Sequence, residues 1–295
     1  MKNELQNGVN KNLLAQFKAH LLTVNYSKGT IVSSSNAINE YLMYIENKQL
    51  KLIDTSTKSI KEYFAFLQTR TNKKTGLGLS LSYLLKIKSG LTLFYKFLNL
   101  TQEKNYAKPV FPDIKKGSHK PIVLSKEEIE KLFKACDESL LGKRNKAVIA
   151  IYYGCGLRRQ EGTNLNVEDL DINKGLVFIS KSKTRQQRYV PISSKMLVIV
   201  EDYLFNAREK LIDKSKAENA LIVTDRGNRL GTESVVYILQ MLLKEAKVTT
   251  KASPHTLRHS IATHLLESGM KLESIRLFLG HRSLDSTQIY THLTK

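Results

Sequence analysis

The sequence predicts a mainly α-helical protein of two domains, the second of which is mixed α/β, mostly α with a small antiparallel sheet. Three observations support this prediction. Apolar residues recur at helical spacing along most of the 295-residue chain. A basic stretch without periodicity, residues 102–120, interrupts that pattern. Two short strand-like runs, residues 176–179 and 188–192, surround a polar turn and predict a hairpin.

Residues 1–101 are predicted to form a helical domain. The pattern indicates helices over 36–45, 58–67 and 82–98 within a region that is helical from about residue 12. The apolar residues of the last helix share one face: Leu84, Ile87, Leu91, Phe94 and Leu98. Three or four helices with short connections are typical of a small bundle.

Residues 102–120 are predicted to be a basic interdomain linker. They hold two of the five prolines, one glycine and five lysines, and they show no periodicity. A chain of this length has enough residues for two cores of ordinary size.

Residues 121–295 are predicted to form the second domain. Ser125 and Glu128 have the spacing of a capping box, which indicates that a helix begins there. The hairpin of residues 176–192 is the one sheet element that the pattern predicts. Further helices are predicted over 146–153, from about Leu157 to 165, over 195–210 and 234–246, from Pro254, and over 272–279.

The net charge of the chain is strongly positive. Lysine and arginine number 47 against 27 aspartates and glutamates, which gives +20 and a pI near 9.7. Residues 1–120 carry +12 of this charge and residues 121–295 carry +8. Because both halves are basic, we expect both to contact a polyanion, and nucleic acid is the usual partner. The alternative is an ordinary protein with a solvated, lysine-rich surface.

Membrane, secretory and disulfide-rich classes are disfavoured. No apolar run approaches the roughly 20 residues that span a bilayer, and the N-terminus lacks the apolar core of a secretory signal. We therefore expect a cytoplasmic protein without a membrane partner. Cys136 and Cys155 have neither CxxC nor metal-ligand spacing, so a disulfide framework and a cysteine zinc site are both disfavoured.

The stretch PHTLRHSIATHLLESG, which begins at Pro254, places ionisable side chains in the first turns of a helix. His255 and Arg258 are three residues apart, so they share a helix face. His255 and His259 have the spacing of a zinc-ligand pair, but no HExxH sequence and no convincing third ligand accompany them. The alternative to a functional pair is a histidine at a helix end beside a surface arginine.

Other candidate residues lie at element ends. Arg158 stands at a helix start marked by glycines, in GLRRQE. His281 follows a glycine that ends a helix, in LGH, and Tyr290 comes nine residues later. The turn of the predicted hairpin offers two lysines, Lys181 and Lys183.

The chain resembles the tyrosine recombinases. The resemblance rests on motifs that occur in the order of that family's signature: GLRRQE, SKSKTR, HTLRH, LGH and the later tyrosine. That family comprises phage integrases, integron integrases and Xer-type chromosome-dimer resolvases, and PHTLRHSIATHLLESG and LGHRSLDSTQIYTH are most similar to the Xer and integron branches. The resemblance covers the second domain and implies a tyrosine-recombinase catalytic domain. The first domain is similar to the core-binding domain of the family in size, helicity and charge.

The resemblance implies a role for each matching residue. Tyr290 would be the nucleophile that attacks a DNA phosphate and leaves a 3′-phosphotyrosyl bond. Arg158 and Arg258 would bind the non-bridging oxygens, and His281 would donate to the same phosphate. His255 would act in proton transfer at the tyrosine. Two fixed guanidinium groups stabilise the charge of phosphoryl transfer as a metal ion would, so we expect neither a metal nor another cofactor.

A lysine of the hairpin turn would protonate the departing 5′-oxygen. Lys183 fits the SKT form in which the family carries this lysine, whereas Lys181 fits the GKG form less well, so we favour Lys183. Glu161 matches a glutamate of the family that is usually structural, and we do not assign it a catalytic role.

The resulting prediction is a site-specific recombinase that cleaves and rejoins double-stranded DNA without ATP or metal, in the cytoplasm and associated with the nucleoid. We expect self-association on DNA, from a dimer to a tetrameric synapse. A type IB topoisomerase-like enzyme and a non-catalytic DNA-binding protein are the alternatives. The six matching residues together argue against a pure DNA-binding protein. Chromosome-dimer resolution, element integration and inversion are not distinguished.

The sequence after Tyr290 departs from the family pattern. Five residues follow it, whereas relatives usually continue with a further helix that docks on a neighbouring protomer. Either the sequence is cut short there or the protomers exchange contacts differently. The sequence therefore supports the prediction of a cyclic tetramer less strongly than the prediction of cleavage chemistry.

Overall fold

The computed structural model describes residues 4–72, 75–101, 106, 110–114, 121–180, 187–212, 219–281, 283 and 285–288. The chain divides into two compact units, Met1–Ser118 and His119–Lys295. Among the described residues, no helix is both long enough and apolar enough to cross a membrane.

The described residues of the first unit form a helical bundle. Polar side chains begin three of its helices: Asn7, Ser27 and Ser56 each accept a hydrogen bond from a backbone N–H of the first turn. A short 3₁₀ turn, Leu52–Asp54, precedes the third helix. The helices are α1 (Gly8–Thr23), α2 (Lys28–Asn47), α3 (Thr57–Thr69) and α4 (Leu81–Thr101).

Aromatic side chains fill much of the core of this unit. The rings of Phe17 and Phe94 meet edge to face at 5.2 Å between centroids. The buried hydroxyl groups of Tyr41 and Tyr95 lie 3.0 Å apart and satisfy each other. Three residues of the predicted linker also pack against this core, and all are half-buried: Tyr106, Phe111 and Ile114.

The second unit is mainly helical in its described residues. A π-helical turn, Leu204–Arg208, joins its fourth and fifth helices. The described helices are α5 (Lys126–Lys134), α6 (Leu140–Gly154), α7 (Arg159–Thr163), α8 (Ser194–Tyr203), α9 (Glu209–Leu211), α10 (Thr232–Glu245), α11 (Pro254–Glu267), α12 (Leu272–Leu279) and α13 (Asp285–Gln288).

A small antiparallel sheet accompanies these helices, as the sequence predicted, with one strand more than the predicted hairpin. Its order is β1 (Leu170–Asp171), β2 (Leu176–Ile179) and β3 (Arg188–Pro191). The additional strand, β1, has two residues, which is too short to show an alternating pattern. Ile179 pairs with Arg188, and Val177 pairs with Val190, so these four side chains share one face of the sheet. That face is the core face, because Val177, Ile179 and Val190 are buried.

Helix α6 forms the centre of the second core. Its residues from Ala147 to Tyr152 are all buried. Cys155, at the end of this helix, is a fully buried free thiol whose pKa burial raises to about 12. It is a packing residue. The starts of α7 and α11 and the end of α12 lie close to this point, and they carry the candidate site.

Candidate active site

Two predicted site arginines bind consecutive carbonyl groups at the end of α12. Arg158, immediately before α7, donates from Nη2 to the carbonyl of Gly280 at 2.9 Å. Arg258, in the second turn of α11, donates from Nη2 to the carbonyl of Leu279 and from Nη1 to that of Gly156, each at 2.7 Å. These bonds bring the start of α7 together with the start of α11 and the end of α12, which lie 102 and 122 residues further along the chain.

The local sequence explains why these carbonyls accept arginine. The last carbonyls of a helix have no partner within the helix, so other donors must satisfy them. Gly280 ends α12 in the left-handed conformation, with φ 65° and ψ 48°, which glycine adopts without strain. The chain therefore turns sharply after Leu279 and leaves these carbonyls to the guanidinium groups.

A buried carboxylate, that of Glu161, joins the arginines. Its side chain is 1% exposed and accepts hydrogen bonds from the Arg158 backbone N–H at 3.0 Å and from Arg158 Nη1 at 2.7 Å. Arg258 Nη1 lies 3.9 Å from Oε2 of the same carboxylate. Burial opposes ionisation of Glu161, but the charge and hydrogen bonds of Arg188, with those of Arg158, lower its pKa to about 2.

Arg188 was not among the predicted site residues. It lies in β3, and its guanidinium donates to both oxygens of Glu161, at 2.9 and 3.2 Å, and from Nε to the carbonyl of Phe278 at 3.2 Å. The sequence contained one signal for it. Arg188 alternates with Val190, so the predicted strand carries a charged residue on the same face as an apolar one, where the charge requires a buried partner.

His281 directly follows the glycine that ends α12. Its Nδ1 lies 2.9 Å from the hydroxyl of Thr287, and its backbone N–H donates to the carbonyl of Arg276. Burial lowers the pKa of His281 to about 3, and the charges of Arg258 and Arg158 act in the same direction. The imidazole is therefore neutral near pH 7 and carries one N–H to donate.

His255 lies at the start of α11, one turn before Arg258, and is exposed whereas Arg258 is 4% exposed. The neighbouring His259 is half-buried. Burial lowers the pKa of His259 to about 4, with the charges of His255 and Arg258 acting in the same direction. Among the residues described, no group of three or more histidine, cysteine or acidic side chains could hold a metal ion.

The described structure thus brings Arg158, Arg258 and His281 together and places His255 at the start of the same helix as Arg258. Tyr290 and both candidate lysines, Lys183 and Lys181, lie outside the described residues. Chemically, the assembled part has the donors and the charge that suit an anion. Fixed guanidinium groups with a neutral histidine beside them can bind a phosphate and the charge that develops on it during transfer.

Comparison with known proteins identifies the family of this chain. Residues 123–295 match the model of the phage integrase family. The tyrosine recombinase XerC of Anoxybacillus flavithermus is 34% identical over 277 residues, which cover 92% of this chain and 89% of that protein.

Two solved structures share the fold. The XerH site-specific recombinase bound to a palindromic difH substrate, in a post-cleavage complex, aligns with a TM-score of 0.77 at 20% identity, over 100% of this chain and 88% of that one. A lambda integrase dimer bound to a COC′ core site aligns with a TM-score of 0.68 at 16% identity, over 95% and 94% of the two chains. The family model and the XerC relative, which match most of the second unit and most of the chain respectively, show that this protein belongs to the phage integrase family and is a tyrosine recombinase.

Proposed function

We propose that the protein cleaves and rejoins DNA strands at a specific duplex site through a covalent 3′-phosphotyrosyl intermediate, without ATP or a metal ion. One observation carries this proposal. Arg158 and Arg258, which come from distant parts of the chain, bind the consecutive carbonyls of Gly280 and Leu279. His281, which follows Gly280, is neutral. Such an arrangement is preorganised for a single phosphate.

The proposed reaction begins with attack of the Tyr290 phenol oxygen on phosphorus. The new bond joins this oxygen to phosphorus, and the bond between phosphorus and the 5′-oxygen breaks. His255 takes the phenol proton, and Lys183 gives a proton to the departing 5′-oxygen. A phenol with an ordinary pKa near ~10 needs such a base or a cationic pocket to attack at neutral pH.

Arg158 and Arg258 stabilise the negative charge that grows on the non-bridging oxygens during this attack. Their hydrogen bonds to fixed carbonyls mean that little reorganisation is required at the moment of reaction. His281 donates a neutral hydrogen bond to the same phosphate. The phosphotyrosyl bond retains the energy of the cleaved phosphodiester. A 5′-hydroxyl from another strand can therefore reverse the reaction, and this is why no ATP is consumed.

We propose double-stranded DNA as the substrate, bound by both basic halves of the chain with residues 102–120 as the linker between them. The charge of +20 supports this, because neutralising phosphates releases counterions and favours binding. The two DNA-bound structures with the same fold, one of them a dimer on a core site, support binding of two copies to one site. Pairing of two such sites in a tetrameric synapse would then exchange the strands.

The test is trapping of the covalent intermediate. The bound duplex is first selected from a random library, and a nick is then placed near the cleavage position so that the short fragment diffuses away after cleavage. Wild-type protein should form an adduct on a denaturing gel, and Tyr290→Phe should form none. Tyr189→Phe is the matched control, because Tyr189 is 63% exposed on β3 and should leave the yield unchanged. An adduct with Tyr290→Phe would assign the nucleophile elsewhere.

A second measurement tests the site specificity. Two duplexes that carry the selected site should exchange strands, whereas supercoiled plasmid that lacks the site should not relax. Relaxation of the site-free plasmid would indicate a topoisomerase instead.

A further inference from the structure

The proposed reaction gives no role to the charge of Arg188, whose side chain is nearly buried. We propose that Arg188 is a positioning residue whose positive charge neutralises Glu161. The charge of Arg158 is then not offset by Glu161 and can act on the scissile phosphate. This inference rests on the proposed function, because it assumes that Arg158 binds that phosphate.

The contacts of Arg188 are those of a dedicated partner for Glu161. Two of its nitrogen atoms bind the two carboxylate oxygens, at 2.9 and 3.2 Å, in a paired geometry that is among the strongest available to arginine. Its Nε binds the carbonyl of Phe278. Three consecutive carbonyls at the end of α12, those of residues 278 to 280, therefore each accept from a different arginine.

Gly280 makes this arrangement possible in space. A Cβ atom at position 280 would lie 2.9 Å from Cζ of Arg188, well inside ordinary contact distance. The guanidinium of Arg188 thus lies against the backbone of the α12 end on one side and binds Glu161 on the other. Only 10% of the Arg188 side chain is exposed, so water screens this charge little.

The balance of charge gives the physical reason for a third arginine. Glu161 is 1% exposed and ionised, and without Arg188 its negative charge would act mainly on Arg158, which binds it at 2.7 Å. Three guanidinium groups and one carboxylate leave a formal charge of +2 at the site. Without Arg188 this charge would fall to +1, while a second negative charge still develops on the phosphate as the tyrosine attacks.

Glu161 also binds the backbone N–H and the side chain of Arg158 and so orients it. Because Glu161 is itself an anion, it offsets the positive charge of Arg158 and weakens the attraction of Arg158 for the scissile phosphate. Arg188, which comes from a different element, removes this conflict. Its charge also contributes to lowering the pKa of His281, after those of the other two arginines and His259, which agrees with a positive potential that reaches the phosphate position.

The experiment is a charge-rescue cycle with Arg188→Met, Glu161→Gln and the double variant, measured as single-turnover cleavage of the nicked duplex. Arg188→Met should slow cleavage about 10- to 100-fold, the range typical for residues that orient the groups of an active site. The double variant restores the formal charge of +2 and should cleave faster than Arg188→Met alone. Arg188→Lys, which keeps the charge but loses the paired geometry, should lie between Arg188→Met and wild type.

A modified substrate separates electrostatics from packing. Replacement of one non-bridging oxygen by a methyl group removes the negative charge of the scissile phosphate. A protein site with less positive charge should then lose less of its cleavage rate. The defect of Arg188→Met should shrink on this methylphosphonate duplex. Two results would show that Arg188 only supports packing and that the inference is wrong. In the first, the double variant is slower than either single variant, so that the rate losses of Arg188→Met and Glu161→Gln multiply. In the second, Arg188→Met is slower than wild type by the same factor on both substrates.

Two controls keep the outcomes distinct. Arg144→Met removes another buried arginine of the same unit, one that binds the Asn145 side chain and not Glu161, and should lower the melting temperature without slowing cleavage below it. Arg158→Ala tests the proposed function itself and should be severely slow on the natural phosphate. If Arg158→Ala cleaves normally, the proposed function fails. If Arg158→Ala is slow while Arg188→Met is not, only the inference on Arg188 fails.

Discussion

Glu161→Gln should lower the free energy of unfolding of the second unit at neutral pH, and the loss should become smaller in acid. The substitution keeps the size of the side chain and removes its charge. The carboxylate is 1% exposed and binds two arginines directly, so its removal leaves two largely buried guanidinium groups without a counter-charge. Breaking such a pair from one side is among the larger effects that a single substitution produces.

The pKa of Glu161 sets the magnitude and the pH range. Its folded value of about 2 lies below the ordinary value of 4.5, so the folded state favours the ionised form. The shift corresponds to about 3 kcal/mol of stability, present at every pH above about 4.5. A depressed carboxyl pKa means that this stability is lost as pH falls towards the folded value, so roughly half of it remains near pH 3.

The assay is hydrogen exchange of the full chain in urea at pH 7 and pH 3, read in peptides of α6. The chain contains no tryptophan, and exchange at buried residues 149–151 reports on the second unit alone. Glu233→Gln is the matched control. Glu233 also pairs with an arginine, Arg159 at 3.0 Å, but its side chain is 83% exposed, so it should change stability little. Equal stability of Glu161→Gln and wild type at pH 7, or the same difference at both pH values, would refute the reasoning.

Three further outcomes follow from the same site. Arg258→Ala should slow cleavage about 10²- to 10³-fold, as loss of a transition-state donor does, while non-covalent DNA affinity in a gel shift changes little; equal losses in both would contradict its placement. Because the pKa of His281 is lowered to about 3, an NMR titration should show it neutral from pH 5 to 8, and a titration near 6.5 would be inconsistent with its burial. Gly280→Ala and Gly269→Ala both place alanine at a positive φ, which costs about 1 kcal/mol of stability, and Gly280→Ala should cost more because it also displaces Arg188. Of the two, Gly280→Ala displaces Arg188 and should also slow cleavage, whereas no neighbouring side chain of the described residues lies within 4 Å of a Cβ added at position 269.

Local patterns were sufficient for most of the fold. Helical spacing predicted the apolar face of α4, and all five of its predicted residues are buried. The capping-box spacing of Ser125 and Glu128 predicted the start of α5, and both hydrogen bonds of that box are present. The hairpin of β2 and β3 was predicted from two strand-like runs around a polar turn. These signals act over a few residues, so they can be read without knowledge of the remaining chain.

The partners of the arginines could not be predicted in this way. Motif order indicated Arg158 and Arg258, but nothing in the sequence showed that both would bind the end of α12, or that Arg188 would join them. Glu161 was interpreted as structural, and in the structure it accepts hydrogen bonds from the backbone N–H and the guanidinium of Arg158. The catalytic roles of the six matching residues stay predictions, and Tyr290 and Lys183 lie outside the described residues.

The sequence by itself determined the family, the mainly α architecture and the order of the chemical groups along the chain, because each depends on local spacing or on a motif. Only the tertiary structure decided which charges meet. Residues 158, 188 and 258 lie in different parts of the chain, and they come together because the unsatisfied carbonyls of one helix end and one buried carboxylate need more donors than their neighbours in sequence supply.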